Sequence, residues 1–207
     1  MRALFVHGMG RSPISGWPLV WRLRRAGIAT STFGYSTTLE RFSSIQRRLT
    51  ARLSSLAKSG DYFLVGHSLG GVLLRSALAS LPLSVPRPSH LFLLGSPTRS
   101  AQLARRLAAN RLFQFFTGDC GQLLASESAM AAIVPPVVPA TAIIGTKSLP
   151  FGLDKFPGET SDGIVTFAEV DASWLANRIT IEQIHTFLPS SAASAEVILK
   201  TVLSNVP

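Results

Sequence analysis

The stretch Asp61-Tyr-Phe-Leu-Val-Gly-His-Ser-Leu-Gly-Gly-Val-Leu-Leu-Arg75 constrains the fold more than any other part of the chain. Tyr62 to Val65 are apolar and β-favouring, which predicts a buried strand. Val72, Leu73, Ala77 and Leu78 recur at helical spacing and predict a helix directly afterwards. The chain must therefore reverse its course within Gly66 to Gly71. A turn this abrupt strains the residue at its head, and glycines on either side prevent backbone clashes. The G-x-S-x-G pattern thus singles out one side chain, Ser68, on an exposed turn. The plain alternative is a glycine-rich strand-to-helix connection with an inert serine. Which reading holds depends on whether the rest of the chain supplies Ser68 with chemical partners.

Around this stretch the pattern alternates. Strands are predicted at residues 2–6, 28–33, 91–94, 140–144 and 178–182, and helices near 17–26, from 38 to Gly60, and over the closing residues Ala195, Ile198, Leu199 and Val202. Thr37 and Glu40 have the spacing of a capping box at the start of the second helix. Residues 100–132 read as a broken helical segment, with Arg105 and Arg106 in its first piece and Leu112, Phe113, Phe115 and Phe116 in its second. Strands that alternate with helices predict an α/β fold: a mostly parallel sheet of about six strands, helices on both faces. At 207 residues the chain is expected to form a single domain over 1–207.

Composition narrows the function classes. Hydrophobic residues make up 46% and charged residues 15%, as in a compact globular protein. Twenty Lys and Arg against eleven Asp and Glu give a net charge of +9. The charge is dispersed rather than gathered into a block, so no nucleic-acid partner is expected; an ordinary solvated face accounts for it best, with attraction of anionic substrates or weak lipid-surface contact as the alternative. Cys120 is the single cysteine, which leaves no intrachain disulfide and no cysteine metal cluster. No stretch approaches the roughly 18 apolar residues of a membrane span. The N-terminus runs straight into a strand instead of a signal-peptide core, and a cytoplasmic location is expected.

A serine hydroxyl is a weak nucleophile that needs a base within hydrogen-bond reach and a third group to orient that base. The chain has four histidines. His67 adjoins the serine and should point away as a packing residue; His7 belongs to the first turn and should fix that loop. No Asp or Glu lies between Ser68 and His90, so a serine, acid, histidine order cannot be built there. His185 follows the last predicted strand and is the expected base. For the acid, the loop after strand 140–144 offers Asp154, Glu159 and Asp162. Asp162 is best placed, on a glycine-pinned turn in Ser161-Asp-Gly-Ile-Val165, with Glu159 and Asp154 as substitutes.

VHGMG at 6–10, GHSLGG at 66–71, SDGIV at 161–165 and the late His185 together resemble the α/β-hydrolase fold, and within it the small bacterial lipases and esterases. The resemblance covers most of the chain. It implies a minimal α/β-hydrolase fold without a separate cap domain, beginning at what would be the third strand of the full fold, and a Ser68, Asp162, His185 triad. It also implies an oxyanion hole from the backbone N–H groups of Met9, after His-Gly, and Leu69, after the nucleophile. Ser161 departs from the pattern, since many related lipases have asparagine there. Residues 100–132 are the expected substrate cover, with Phe113 and Phe116 lining an acyl pocket or packing in the core.

The expected function is a serine hydrolase that cleaves carboxylic esters through an acyl-enzyme, with a small acyl ester as substrate, no cofactor and no metal. A thioesterase or amidase with the same triad, and a catalytically silent binding protein of this fold, are the competing readings.

Overall fold

The computed structural model describes residues 1–148 and 155–204. Six parallel strands, β1 (Arg2–Val6), β2 (Ala29–Phe33), β3 (Tyr62–His67), β4 (Leu91–Leu94), β5 (Ala140–Gly145) and β6 (Asn177–Ile181), form one sheet in the order β2-β1-β3-β4-β5-β6. Each pairs in parallel with its neighbours, with Val6 opposite Gly66 and His67 opposite Leu94.

The two-residue period of the strands divides the core. In β1, Leu4 and Val6 face one side while Ala3 and Phe5 face the other. Leu64 and Phe63, and Leu93 and Phe92, repeat that division in β3 and β4. Helices α1 (Trp17–Arg25) and α8 (Ala192–Leu203) cover the Phe5 side through Leu19, Leu23, Ile198 and Val202. The Leu4 side is covered by α2 (Phe42–Ala57) and α3 (Leu69–Ala79), then by α4 (Gln102–Leu107), α5 (Arg111–Ala125), α6 (Glu127–Ala131) and α7 (Phe167–Val170). With both faces covered, the central strands are wholly buried, which suits their largely apolar sequences.

Residues 100–132 hold three helices, α4, α5 and α6, and α5 is itself kinked at Gly118. No separate cap domain is formed by the described residues, and no described helix is long and apolar enough to cross a membrane.

The expected capping box at Thr37 and Glu40 does not form. α2 begins later, at Phe42, and its first N–H is accepted by Asp119 Oδ1 at 2.9 Å from the second half of α5. Glu40 instead accepts the Ser36 N–H at 3.0 Å and pairs with Arg48. The Thr37 and Thr38 hydroxyls both donate to the Phe116 carbonyl. The loop from 36 to 42 therefore serves to fasten α5 to the body of the protein.

Candidate active site

Ser68, the His7 to Gly10 turn, Asp162 and His185 all lie at the carboxyl edge of the sheet. Ser68 follows β3, the His7 to Gly10 turn follows β1, Gly95 follows β4, Asp162 lies after β5 and His185 after β6. Ligands of parallel α/β sheets bind at this edge.

Ser68 is the single described non-glycine residue with positive φ, at 52° with ψ −125°. Such a backbone costs about 1–3 kcal/mol and persists where its surroundings over-determine it. Here the Ser68 N–H donates to the Leu94 carbonyl at 2.9 Å, and its carbonyl accepts the Gly71 N–H at 3.0 Å. A Cβ on Gly66 would lie 2.5 Å from Gly71 Cα, and one on Gly70 would lie 2.2 Å from the Val6 carbonyl oxygen. Both glycines are thus required by close backbone approach, and the turn holds the half-buried serine at the amino end of α3.

Asp162 is almost fully buried. Its Oδ1 accepts the N–H groups of Ile164 at 3.0 Å and Val165 at 2.9 Å, and its Oδ2 lies 2.7 Å from His185 Nδ1. The His185 N–H also donates to the Asp162 carbonyl at 3.0 Å, so the two residues are joined through backbone and side chain. Because the carboxylate accepts, Nδ1 carries the imidazole proton and Nε2 presents its lone pair. The other two acids stand apart: Glu159 accepts from the Gln102 amide at 3.2 Å, and Asp154 lies outside the described residues. A Cβ on Gly95, whose φ is 53°, would meet Asp162 Oδ2 at 2.9 Å and His185 Nδ1 at 3.0 Å. Gly95 must therefore be glycine for two reasons, its positive φ and the close approach of the Asp162 and His185 side chains.

The His7 to Gly10 turn is pinned from β2. His7 stacks on Tyr35 with ring centroids 4.2 Å apart, donates from Nδ1 to the Gly8 carbonyl at 2.8 Å, and accepts the Tyr35 N–H at Nε2. The Tyr35 hydroxyl donates to the His7 carbonyl at 2.8 Å. Burial pushes the His7 ring below its ordinary pKa, opposed by the Gly8 bond, and pushes the Tyr35 hydroxyl well above its own. A Cβ on Gly8 would lie 3.0 Å from Ser68 Cβ, which brings the turn directly against the serine. Neither Met9 N–H nor Leu69 N–H has an acceptor among the described residues.

His67 does more than pack. It is fully buried, and its Nε2 donates to the His185 carbonyl at 3.0 Å with the two rings 4.8 Å apart. Its partner lies 118 residues further along the chain, beyond the reach of any local pattern. Burial first, then the neighbouring His185, Arg11 and His7, hold its pKa well below the usual imidazole value, so the ring is neutral.

The aromatic residues of α5 divide. Phe113 packs partly against the core, while Phe116 is 58% exposed and meets Phe115 edge-on at 5.2 Å. The described residues form no cluster of three or more His, Cys, Asp or Glu able to hold a metal ion.

This edge and its loops define an α/β hydrolase. The sequence model of the alpha/beta hydrolase family matches residues 3–202, and the chain belongs to that family. No curated protein sequence matches it. Among solved structures it is similar to the mature lipase BlEst2 of Bacillus licheniformis, with a TM-score of 0.71 and 18% identity over 98% of this chain and 91% of that one. The RedJ thioesterase of prodiginine biosynthesis in Streptomyces coelicolor gives 0.63 and 18% over 100% and 90%. The methylesterase MES16 of Arabidopsis gives 0.62 and 15% over the whole of both chains. At these identities the likeness speaks to the fold.

Proposed function

We infer that the protein is a serine hydrolase that cleaves carboxylic esters through an acyl-enzyme. The observation that carries this reading is the buried Asp162 and His185 pair, joined at 2.7 Å, on the same sheet edge as the strained Ser68. His185 Nε2 takes the Ser68 proton as Oγ attacks the ester carbonyl. Asp162 keeps the proton on Nδ1 and stabilises the imidazolium. The Met9 and Leu69 N–H groups donate to the developing oxyanion, each worth about 3 kcal/mol in comparable hydrolases. His185 then protonates the departing alcohol, and a water that it deprotonates releases the acid and regenerates Ser68.

The test is a panel of nitrophenyl esters of increasing acyl length, run with wild type and Ser68→Ala, together with labelling by a fluorophosphonate probe. Turnover and labelling that both disappear in Ser68→Ala support the reading. Labelling of neither protein would make this a silent member of the fold. The same triad serves thioesters and amides, and the ratio of acyl ester to acyl thioester turnover assigns the leaving group.

A further inference from the structure

At the opposite end of the sheet from Ser68 the surface is concave. A basin of about 570 Å³ opens where β1 and β2 begin and α2 ends, and Arg2, Arg24 and Arg52 line it with Ser31, Ser55 and Ser59. No acidic side chain lines the basin. Among the described residues none of the three arginines forms an ion pair.

Two of the guanidinium groups are set in place by backbone acceptors. Arg24 donates from Nε and Nη2 to the Thr30 carbonyl, the latter at 2.8 Å, and its guanidinium stacks over Trp17. Arg2 donates from Nε to the Ser59 carbonyl at 3.1 Å. These bonds leave both Nη groups of Arg2 and one of Arg24 uncommitted. Arg52, exposed on α2, has no hydrogen bond or ion pair among the described residues. The basin is therefore rich in positioned donors and holds three positive charges without a counter-charge.

Like charges gathered in one concavity are unfavourable unless an anion joins them. Planar guanidinium forks suit the oxygens of a phosphate, which can accept from several at once. A basin of this size also falls in the range of small-molecule sites and exceeds what a bare ion needs. We propose that it binds an organic phosphate, soluble or carried by a lipid headgroup, the phosphate group seated among Arg2, Arg24 and Arg52. The site is independent of the hydrolytic reading, since it shares no residue with the Ser68 edge.

Calorimetric titration of the full chain with inorganic pyrophosphate tests this. One saturable site is expected at low salt, weakening as ionic strength rises. Arg52→Gln should weaken it about ten- to hundredfold, the effect of losing a charge-assisted contact. It should leave melting temperature and nitrophenyl ester turnover unchanged, because Arg52 holds no other group. Arg24→Gln should weaken binding similarly, and Ser68→Ala should bind as wild type, which separates this basin from the active-site edge. A second arm uses phosphatidylcholine vesicles containing phosphatidic acid: Arg52-dependent pelleting makes the phosphate a lipid headgroup, and pyrophosphate binding without pelleting makes it a soluble one. No saturable binding at low salt, or equal affinity in wild type and both arginine variants, overturns the proposal.

Discussion

His67 Nε2 donates to the backbone carbonyl of His185 across 3.0 Å, so the residue before the turn serine grips the loop that carries its expected base. The bond is buried, with the His67 and His185 rings in contact. His67→Leu leaves the His185 carbonyl without this donor, which should cost about 1–3 kcal/mol of stability. A misplacement of the base by an ångström can cost about a hundredfold in rate. We therefore expect His67→Leu to lower kcat on nitrophenyl esters by about ten- to hundredfold, with KM little changed. His67→Gln, whose amide can still donate, should recover part of the loss. A kcat for His67→Leu within twofold of wild type at a temperature where it remains folded would show that the grip is irrelevant to the chemistry.

The acid can be assigned by comparing three amide substitutions. Asp162→Asn keeps the shape but presents the wrong partner to His185 Nδ1, and the loss in kcat should approach ten-thousandfold. Glu159→Gln should stay near wild type, because its carboxylate faces the Gln102 amide. Gly95→Ala should be nearly as damaging as Asp162→Asn, since its Cβ would sit against both Asp162 Oδ2 and His185 Nδ1. A severe Asp154→Asn beside a mild Asp162→Asn in kcat/KM measurements would transfer the role to Asp154.

The architecture was legible in the sequence because its strands are local signals. All six lie within one or two residues of where β-favouring runs place them, and the Gly66 and Gly70 spacing identified the turn before any partner was known. What escaped depends on contacts between distant segments. The amino end of α2 is capped by Asp119, 77 residues further on, and this tertiary bond frees Glu40 for Ser36 and Arg48. The kink at Gly118 belongs to the same junction, since a Cβ there would lie 2.6 Å from the Thr37 carbonyl oxygen. His67 and Gly95 escaped for the same reason.

Mild acid, below about pH 6.5, should loosen the fold. His7, His67 and His90 are all pushed below the ordinary imidazole pKa by burial, and for His67 by the facing His185 and Arg11 as well. In the range between each lowered value and about 6.5, the unfolded chain holds more protons than the folded one, so stability rises with pH. The contribution is complete above about pH 6.5 and is lost as pH falls below it. For the fully buried His67 the slope approaches about 1.4 kcal/mol per pH unit. Thermal melts from pH 8 to pH 5 should be flat at first and then decline. A melting temperature constant over the whole range would mean that these rings accept protons without strain.

Cys120 should be chemically silent in the native state. It is buried in α5, and burial, followed by the adjacent Asp119, pushes its thiol up to about 12. A thiol in that state offers almost no thiolate at neutral pH. Labelling with a thiol-specific disulfide reagent should be slow in buffer and complete in denaturant. Rapid native labelling would mean that the second half of α5 opens readily.

The two halves of the aromatic segment should respond differently to truncation. Phe113 packs partly against the core and its ring runs beside Gly121, so Phe113→Ala removes buried contacts and should lower the melting temperature measurably. Phe115 and Phe116 touch each other and lie exposed, with Leu112 beside them in the sequence and also exposed, so Phe116→Ala should leave the melting temperature nearly unchanged. An apolar surface of this kind, kept on the outside of the helix that covers one side of the sheet, is suited to a long acyl chain or a lipid surface. Phe116→Ala should therefore lower turnover of long-chain esters more than that of short ones, while Phe113→Ala should depress all chain lengths in step with its loss of stability. Measuring kcat/KM from two-carbon to twelve-carbon nitrophenyl esters for both variants separates the cases. Equal losses across chain length for Phe116→Ala would place the acyl group elsewhere on the Ser68 edge.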